Sequence, residues 1–370
     1  MHHHSRKRLL VLSVGYGQGH HSAAAALAEH YTECGWDAQV ADVCQMAHPW
    51  VFRITQLFYQ LCVRRAPWLW GITYSLTDTA DWCCMVRRRT FRGTIRCLQT
   101  LLQGLQPDLI ICTYPLFAYM LDKLKADGEQ VPPYAVVVTD ALEISRPWLL
   151  TQAELLLLPD EYSRLRVMER YALPAEKVAA TGFPVRRAFS PSVKRTPPDD
   201  ATLHVLYGAY RQTGGVVNDI AALLETFPQI KLSVIAGGRA AYLQTQFAPY
   251  CADGRLMIID STDDMAALLA ESHLYIGKAG AATVFECYAT VVPILINFTL
   301  PGQERGNLEL LEKENAGIHV ESTAHMVATV KKLLSNGAFG WLECCQAMRR
   351  VNRSDAARRA ACEIRSKLGV

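Results

Sequence analysis

The sequence predicts an α/β protein of two domains, each with a parallel sheet at its centre. Short apolar runs alternate with longer amphipathic stretches along the whole chain, which is the pattern of buried parallel strands and their crossover helices. The 370 residues exceed the usual length of a single domain. Prolines are concentrated before Asp200 among Ser and Lys residues, as in interdomain linkers. We therefore predict an N-terminal domain over 1–187, a linker over 188–200 and a C-terminal domain over 201–345.

The composition says more about the cellular location of the protein than about its function. Lys and Arg number 38 against 35 Asp and Glu, so the whole chain has no charge excess that would favour or exclude nucleic acid. The 12 cysteines have no regular spacing, which favours reduced thiols in a cytosolic protein, and no metal site is predicted. The apolar start of the chain continues into a glycine-rich turn, which favours a first strand over a signal peptide. No apolar run is long enough to span a membrane.

The stretch 277–307 carries the strongest functional signal. Small residues directly follow the apolar run Leu274–Ile276, as where a buried strand turns into a helix with an accessible N-terminus. Backbone N–H groups at such a helix start point at an anion, and the helix dipole favours negative charge, so this turn suits a phosphate. Glu286 would lie in the second helical turn, within reach of a ribose attached to that phosphate. Close helix–strand packing without a ligand is the alternative explanation.

A second motif is expected at the same edge of the sheet. The predicted strand Val292–Ile296 leads into a polar loop, Pro301–Asn307, which contains Gln303 and Glu304. Parallel strands bring their carboxyl ends to one edge, where open α/β sheets bind their ligands. The two motifs together therefore indicate a binding site more strongly than either does alone.

The N-terminal strand and turn form another candidate site. The predicted strand Arg8–Ser13 is followed by a turn with three glycines and two histidines, and then by an Ala-rich helix over Ser22–Tyr31. A dinucleotide-binding turn is the alternative; Asp42 at the end of the next strand fits it, but His20 and His21 do not. His20 is suited to take a proton from a hydroxyl group because its ordinary pKa lies near neutrality. A capping or phosphate-contacting histidine is the other explanation.

From His48 to Arg96 aromatic and basic residues are interleaved on amphipathic stretches. Rings at the level of lipid head groups, with cations that attract anionic lipid, would place this segment at a membrane surface. The alternative is that the aromatic side chains form a core and the arginines a solvated face. A nucleic-acid patch is disfavoured because the segment has little Lys and matches no known module. The residues of this segment that we assign to the membrane side are Trp68, Trp70, Tyr74, Arg87 and Arg88.

Two further turns follow predicted strands. Strand Tyr134–Val138 ends in Thr139-Asp140, where a carboxylate can orient a base or a hydroxyl group. Strand Leu203–Tyr207 leads into a glycine-rich turn that begins at Gly208 and contains Arg211. This second turn suits a diphosphate, and an ordinary connection between a strand and a helix is the alternative.

At these motifs the chain resembles the family 28 glycosyltransferases of the monogalactosyldiacylglycerol synthase and processive diacylglycerol glucosyltransferase type. The family's opening, Ser-x-Gly-Tyr-Gly-x-Gly-His-x-x-Ala-Ala, is matched from Ser13 to Ala24. Its Pro-Gly-Gln-Glu loop, which holds the sugar, is intact at 301–304. Its Lys-Pro-Gly-Gly turn, which binds the diphosphate and ribose, appears as Lys278-Ala279-Gly280-Ala281 with Thr283 and Glu286 after it.

Three other segments extend this resemblance over nearly the whole chain. Ala66–Tyr74 resembles the family's Pro-x-Leu-Trp-x-x-x-Tyr segment, in a region that approaches the bilayer and receives diacylglycerol. Thr181–Arg186 resembles the element that closes the N-terminal domain, and Asp264–Leu269 resembles a stretch whose backbone recognises uracil. In this fold the last helix crosses back onto the N-terminal domain, which implies such a helix over 346–370.

The resemblance implies the GT-B fold, two Rossmann-like domains that face a central cleft. It also implies inverting transfer of a hexose, galactose or glucose, from a UDP-sugar to diacylglycerol, with His20 and Asp140 as catalytic residues and Trp148 on the acceptor side. No cofactor or metal is expected, because helix N-termini and glycines can stabilise the leaving diphosphate. The implied UDP-sugar-binding residues are Gly19, Gly208, Arg211, Met265, Lys278, Gly280, Ala281, Thr283, Glu286, Gln303, Glu304 and Asn307.

The chain departs from the family pattern in two places. Ala279 and Ala281 replace a proline and a glycine of the diphosphate turn, which should reshape it slightly and keep its N–H groups. After Thr-Asp the family has a histidine and a tryptophan, but here Ile144 and Ser145 stand where the histidine should be, and Trp148 comes one position late. The missing histidine places more weight on His20 and Asp140.

Three alternatives stay open. The acceptor could be a polyprenyl-linked sugar, or the protein could be a nonhydrolysing UDP-sugar 2-epimerase, which shares the architecture and should carry extra cleft carboxylates. The missing histidine also allows a non-catalytic UDP-sugar sensor. Under the favoured hypothesis, a diacylglycerol glycosyltransferase, the partners are a UDP-hexose, a lipid acceptor and an anionic membrane surface. No nucleic acid is expected as a partner. We expect a cytoplasmic protein, peripheral on the inner face of the cell membrane.

Overall fold

A computed structural model describes residues 6–15, 18–189, 196–199, 202–302, 304–351 and 353–370. The chain divides into two units, each with its own parallel sheet of six strands, and the predicted α/β fold class is confirmed. Unit 1 comprises Met1–Arg187, Pro301–Gly306 and Asp355–Val370. Unit 2 comprises Ala188–Leu300 and Asn307–Ser354.

The sheet of unit 1 has short apolar strands buried between helices at its centre and a more polar, largely exposed strand, Asp37–Ala41, at one edge. Its strands are β1 (Arg8–Leu12), β2 (Asp37–Ala41), β3 (Leu109–Cys112), β4 (Tyr134–Val137), β5 (Leu155–Leu158) and β6 (Val178–Ala180). They pair in parallel in the order β2-β1-β3-β4-β5-β6. Every residue of β3, β4 and β5 is buried, as the apolar runs of the sequence predict.

Among the described residues, eight α-helices of unit 1 precede the linker. They are α1 (Gln18–Glu33), α2 (Val43–Ala47), α3 (Pro49–Arg65), α4 (Pro67–Thr79), α5 (Trp82–Val86), α6 (Arg92–Leu105), α7 (Pro115–Ala126) and α8 (Glu161–Tyr171). Three of them, α3, α4 and α7, have proline at their first position, where the missing N–H group leaves no helical hydrogen bond unmade. Helix α1 begins before the predicted start at Ser22, so that His20 lies in its first turn.

Unit 2 repeats the same layering. Its strands are β7 (His204–Gly208), β8 (Lys231–Ile235), β9 (Leu256–Ile259), β10 (Leu274–Lys278), β11 (Ile294–Phe298) and β12 (Gly317–His319). They pair in parallel in the order β12-β11-β10-β7-β8-β9, so β10 lies between β7 and β11. The helices of this part of the chain are α9 (Thr213–Thr226), α10 (Ala240–Gln246), α11 (Ala248–Ala252), α12 (Met265–Glu271), α13 (Ala281–Thr290), α14 (Glu304–Lys313) and α15 (Thr323–Val351), and α16 (Ala356–Leu368) after them belongs to unit 1.

Two element boundaries differ from the sequence-based expectation for local reasons. Strand β11 begins two residues after the predicted Val292, because α13 runs to Thr290 and Val291 then takes a left-handed conformation with φ of 58°. Helix α15 is interrupted over Ser335–Ala338, where Asn336 and Gly337 have φ of 53° and 68°. Asn336 and Gly337 take this left-handed conformation with little strain, and Ala338, with φ of 59°, extends it by one residue.

Two segments from the C-terminal part of the chain belong to unit 1. Helix α16 covers one face of the unit 1 sheet with its alanines and Ile364, and Arg359 Nε donates to the Thr181 carbonyl at 2.8 Å. The other segment, Pro301–Gly306, was expected from the sequence with the C-terminal domain. Gly306 lies so close to the Ala141 carbonyl that no Cβ atom would fit there.

Two properties of the described residues concern the cellular setting. All 12 cysteines lie among them, and each is a free thiol. None of the helices in this part of the chain combines the length and the apolar character that crossing a bilayer requires.

Substitutions of two glycines in unit 1 can measure how tightly α16 packs against its neighbours. Gly182 and Gly35 both have positive φ, 96° and 87°, but a Cβ at Gly182 would lie 2.8 Å from that of Ala356, whereas the space at Gly35 is open. We expect Gly35→Ala to lower the free energy of unfolding by about 1 kcal/mol through backbone strain alone. Gly182→Ala should lower it by about 3 kcal/mol because the displaced helix adds to the strain. Urea unfolding of both variants measures the difference, and equal losses would contradict this packing.

Candidate functional site

Three strand ends bring polar side chains together in unit 1. The register aligns Leu12 of β1 with Cys112 of β3, and Cys112 with Val136 of β4, so the segments after these strands meet at one edge. His20 in the first turn of α1 has its Nδ1 atom 2.8 Å from Thr139 Oγ1. Parallel pairing thus joins residues that are far apart in the sequence.

Aromatic rings surround the His20 imidazole. Its centroid lies 5.1 Å from that of Tyr114 and 5.8 Å from that of Trp148. Burial lowers the pKa of His20 to about 4, and a hydrogen bond with the Thr113 backbone opposes this shift only in part. The imidazole is therefore neutral at physiological pH, and placing a proton on it is unfavourable.

Asp140 has the opposite electrostatic character. The residue is 7% exposed, and its Oδ2 atom accepts a hydrogen bond from Trp148 Nε1 at 2.8 Å. Burial raises the pKa of Asp140 to about 6, while the Trp148 hydrogen bond opposes that rise. The carboxylate is mostly ionised above pH 7 and, with the higher pKa, is a stronger base than His20.

The position of the family's missing histidine is filled differently here. Ile144 is buried in the core of unit 1, and Ser145 makes a side-chain hydrogen bond with Tyr74 of α4. Burial, and then the charge of Asp140, keep the pKa of Tyr74 well above its ordinary value. The Tyr74 hydroxyl is thus a neutral group in the electrostatic range of Asp140.

Helices α3 and α4 carry apolar stripes that no described residue covers. The exposed apolar positions on α3 recur after three, four and seven residues, with two adjacent pairs that widen the face, and those on α4 are four apart, so each set lies on one helical face. The core interpretation of the aromatics holds for Phe52 and Trp82, which are buried. The exposed apolar residues are Trp50, Val51, Ile54, Leu57, Phe58, Leu61, Trp68, Ile72 and Leu76, among which Trp50 is 75% and Trp68 is 66% exposed.

The remaining membrane-side residues of the prediction are divided between surface and core. Arg87 and Arg88 are exposed, whereas Trp148 is buried and holds Asp140. Trp70 packs its ring 4.8 Å from that of Tyr59, and its buried indole N–H has no partner among the described residues. An orphaned buried donor of this kind is consistent with a site that a ligand completes.

In unit 2 the turn after β10 has the form that the sequence predicts. Gly280 occupies the N-cap position of α13, and no side chain caps the helix. The first backbone N–H groups, from Ala281 to Thr283, have no partner within the helix and are available to an anion. The ammonium group of Lys278, at the end of β10, lies 5.3 Å from the centre of the Tyr210 ring.

Two polar side chains flank this turn. Asn307 is 1% exposed; its Nδ2 atom donates to the Ala279 carbonyl at 2.9 Å, and its Oδ1 atom has no partner among the described residues. Glu286 lies in the second turn of α13 and is buried. The turn is therefore fixed from one side by Asn307, which keeps one acceptor atom for a ligand.

The glycine-rich loop after β7 lies on a neighbouring strand. Gly208 ends β7, and a Cβ there would lie 2.7 Å from the Tyr210 ring. The Arg211 guanidinium forms an ion pair with Asp219 at 2.8 Å. Met265 is the first residue of α12, which the Asp264 carboxylate caps by accepting from Ala267 N.

The predicted residues fall into two groups, one in each unit. Those in unit 1 are Gly19, His20, Tyr74, Asp140, Trp148 and Glu304, together with the exposed Trp68, Arg87 and Arg88 and the partly buried Trp70; those in unit 2 are Gly208, Arg211, Met265, Lys278, Gly280, Ala281, Thr283, Glu286 and Asn307. Gln303 lies outside the described residues, and so do Tyr16 and Gly17 of the first turn. The functional roles of these residues stay predictions.

Sequence reasoning missed Thr139 as the partner of His20 and Asp219 as the partner of Arg211. The signal for Asp219 was present, because it lies among Val216, Ile220 and Leu223 on the buried face of α9. A carboxylate on an apolar helix face indicates a buried polar network. No sequence pattern indicates Thr139, whose contact arises from strand pairing. Within the described ranges, no cluster of three His, Cys, Asp or Glu side chains could hold a metal ion.

Comparison with known families covers both halves of the chain. Residues 20–185 match the model of the monogalactosyldiacylglycerol synthase family, and residues 215–359 match that of the glycosyltransferase family 28 C-terminal domain. A protein of Bacillus mycoides named processive diacylglycerol beta-glucosyltransferase is 25% identical over 95% of this chain and 91% of its own. The resemblance found in the motifs is thereby confirmed.

Solved structures share the fold at lower identity. MurG of Acinetobacter baumannii has a TM-score of 0.59 and 16% identity, over 97% of this chain and 99% of its own. A UDP-GlcNAc 2-epimerase from Neisseria meningitidis, bound to UDP-GlcNAc, has a TM-score of 0.60 and 11% identity, over 97% of this chain and 100% of its own. The GT-B fold that the resemblance implies is confirmed, and fold alone does not separate a transferase from an epimerase.

The raised pKa of Asp140 predicts a dependence of stability on pH. The unfolded carboxyl group titrates near 4 and the folded one near 6, so the wild type loses stability as pH rises between these values. Asp140→Asn keeps the acceptor for Trp148 and does not titrate. We therefore expect the difference in free energy of unfolding, variant minus wild type, to increase by up to about 3 kcal/mol from pH 4 to pH 8. Urea unfolding at both pH values measures this gain, and a constant difference would contradict the assignment.

Proposed function

Since the chain belongs to the family 28 glycosyltransferases of the monogalactosyldiacylglycerol synthase type, we propose that it moves a hexose from a UDP-sugar to diacylglycerol at a membrane surface. The observation that carries the donor part is the uncapped start of α13 in unit 2, with the unpartnered Asn307 oxygen beside its turn. The acceptor part rests on Asp140 and the exposed stripes of α3 and α4 in unit 1.

The donor would bind along the carboxyl edge of the unit 2 sheet. The diphosphate would accept hydrogen bonds from the free N–H groups at 281–283, where the helix dipole favours negative charge. Lys278 adds a cation at the end of β10, and Glu286 would accept from the ribose. The backbone near Met265 would hold the uracil, and the Oδ1 atom of Asn307 would accept from a sugar hydroxyl. These groups stabilise the leaving diphosphate, so the proposed reaction uses no metal.

The transfer is a single displacement at the anomeric carbon. The hydroxyl oxygen of diacylglycerol forms a bond to this carbon, and the bond from the carbon to the phosphate oxygen breaks, so that UDP leaves with the electron pair. Asp140 takes the hydroxyl proton, because its pKa of about 6 makes it a roughly hundredfold stronger base than His20 with a pKa of about 4. His20, with Thr139, would position the acceptor hydroxyl.

The name of the relative supports a proposal for the stereochemistry and the sugar. UDP-glucose and UDP-galactose carry the sugar as the α anomer, so a beta-glucosyltransferase inverts the anomeric centre. One in-line displacement produces this inversion. The relative's name favours glucose, and galactose differs only at one epimeric carbon, so both donors belong in the test.

The exposed stripes of α3 and α4 would dock on the bilayer. Exposing these apolar side chains to water costs about 25 cal/mol of free energy per Å² of apolar surface. Inserting them among the lipid head groups removes this surface from water. The exposed Arg87 and Arg88 near these helices would attract anionic lipid. We place the protein peripherally on the inner face of the membrane.

Transfer of label tests the function directly. We expect purified protein to move radiolabel from UDP-glucose or UDP-galactose to diacylglycerol in anionic vesicles, with the product extracted into organic solvent. Asp140→Asn should lower kcat at least about a hundredfold, because the base is lost. His20→Ala should lower the rate and keep an acidic limb near pH 6 in the profile of kcat/KM, since Asp140 titrates there.

Other outcomes identify the rival functions. An epimerised nucleotide sugar without labelled lipid would show a 2-epimerase, and label on a polyprenyl-linked sugar in preference to diacylglycerol would change the acceptor. Binding of UDP without turnover of any of these substrates would show a sensor. An acidic limb near pH 4 that disappears in His20→Ala would make His20 the base.

Vesicle binding tests the membrane surface. The triple variant Trp68→Ser, Ile72→Ser and Leu76→Ser removes the stripe of α4, and we expect its co-sedimentation with phosphatidylglycerol vesicles to fall at least about tenfold. The matched control, Leu165→Ser with Tyr242→Ser and Phe339→Ser, removes similarly exposed apolar side chains elsewhere and should bind as the wild type does. Equal losses in both variants would contradict a specific docking face.

A further inference from the structure

A fully buried carboxylate lies behind the glycine-rich loop of unit 2. Asp219 of α9 has no exposed surface, and its oxygens accept from Tyr207 Oη at 2.7 Å and from Arg211 Nη1 at 2.8 and 2.9 Å. Two more donors complete the set, Asn297 Nδ2 at 3.2 Å and Thr323 Oγ1 at 2.5 Å. Four side chains from four different segments therefore converge on one carboxylate.

Burying this charge is not an efficient way to stabilise a fold. A carboxylate loses its hydration inside a protein, and even a well-paired one is often no more stable than apolar side chains of equal volume. What such a network does is define the geometry of the groups it joins. Burial and the Asp219 charge also raise the pKa of Tyr207 well above its ordinary value, so its hydroxyl stays protonated and donates.

The donors lie around the strand that carries the predicted diphosphate turn. Tyr207 belongs to β7 and Asn297 to β11, and these two strands flank β10. The Asn297 amide also donates to the Tyr207 hydroxyl at 3.1 Å. The carboxylate thus links the strands on both sides of β10 near the carboxyl ends, which lead into the donor loops.

The loop itself is held from two directions. Asp219 fixes the Arg211 side chain, and the Arg239 guanidinium donates to the carbonyl oxygens of Ala209 and, at 3.0 Å, of Arg211. A Cβ at Gly215 would lie 3.2 Å from Arg211 Nε, so the glycine makes room for the guanidinium against the start of α9. Two ion-dipole contacts therefore engage the loop carbonyls, and one ion pair fixes its arginine.

We propose that Asp219 is a positioning residue for donor binding: through Arg211, Tyr207 and Asn297 it holds the loop after β7 and the ends of the strands beside β10 in the shape that accepts the diphosphate of a nucleotide sugar. This inference rests on the proposed function, which assigns the donor to unit 2. It predicts that loss of the Asp219 charge weakens donor binding much more than the chemical step or acceptor binding.

The test is Asp219→Asn, which keeps the size of the side chain and removes the charge that pairs with Arg211. We expect KM for the UDP-hexose and the Kd of UDP by calorimetry to rise together about tenfold. The kcat at saturating donor should change less than about threefold, and KM for diacylglycerol should not change. In the Arg211→Gln background the same change at Asp219 should have a much smaller effect, because the link to the loop is already absent.

The chain offers a matched control in the same unit. Glu314 is a second buried carboxylate of unit 2; it accepts from Tyr288 and pairs with the buried Arg353. Glu314→Gln removes a comparable charge, and we expect it to lower Tm and leave the KM for UDP-hexose unchanged. If Asp219→Asn does not fold, Thr323→Val keeps the carboxylate and removes one donor, and it should raise the Kd of UDP about threefold.

The outcomes separate this inference from the proposed function. A wild-type protein that binds no UDP would overturn both. A second outcome would overturn this inference alone. The wild type would bind UDP normally, and Asp219→Asn or Thr323→Val would have a lower Tm and an unchanged Kd of UDP, as Glu314→Gln does. Asp219 would then be a structural residue only.

Discussion

In-register parallel pairing is the constraint on which the candidate chemistry of unit 1 depends. Each buried strand must satisfy its backbone groups on its neighbours, and a shift by one residue would exchange the side chains that pack on the two faces of the sheet. This register places the ends of β1, β3 and β4 side by side. As a result His20 meets Thr139, although more than a hundred residues separate them. Burial then sets the chemical difference between His20 and Asp140: it lowers the pKa of His20 and raises that of Asp140, against an opposing hydrogen bond from Trp148.

In unit 2 the candidate site is formed by a helix start and by polar contacts around it. Its central strand β10 delivers a helix start without a capping side chain, which leaves backbone donors for an anion. A turn of small residues has little side-chain packing of its own to define its shape. Neighbouring polar contacts supply that definition: Asn307 holds the Ala279 carbonyl, and the Asp219 network joins the strands on either side. The small residues of the turn and the buried polar contacts behind it therefore complement each other, since the contacts define the shape that the small residues leave open.

The large apolar side chains of α3 and α4 are exposed in the folded protein, which the composition alone does not indicate. Both helices have one face packed in unit 1 and another that leaves large side chains in contact with water. A folded chain that binds only water-soluble substrates has no reason to keep such stripes. An enzyme whose acceptor is a lipid does have one, because its substrate never leaves the bilayer. The family, the buried Asp140 carboxylate and the exposed stripes are thus consistent with one another.

The sequence by itself determined the fold class, the family and most strand positions, because apolar runs, glycine-rich turns and the Pro-Gly-Gln-Glu loop are local patterns. It also placed Asp140 and the turn at 278–281, since both follow directly from strands. It could not place Thr139 beside His20 or Asp219 beside Arg211, and it could not distinguish exposed Trp68 from buried Trp148. These features depend on which surfaces meet when distant segments pack, and burial, which sets both pKa values and exposure, exists only in the tertiary structure.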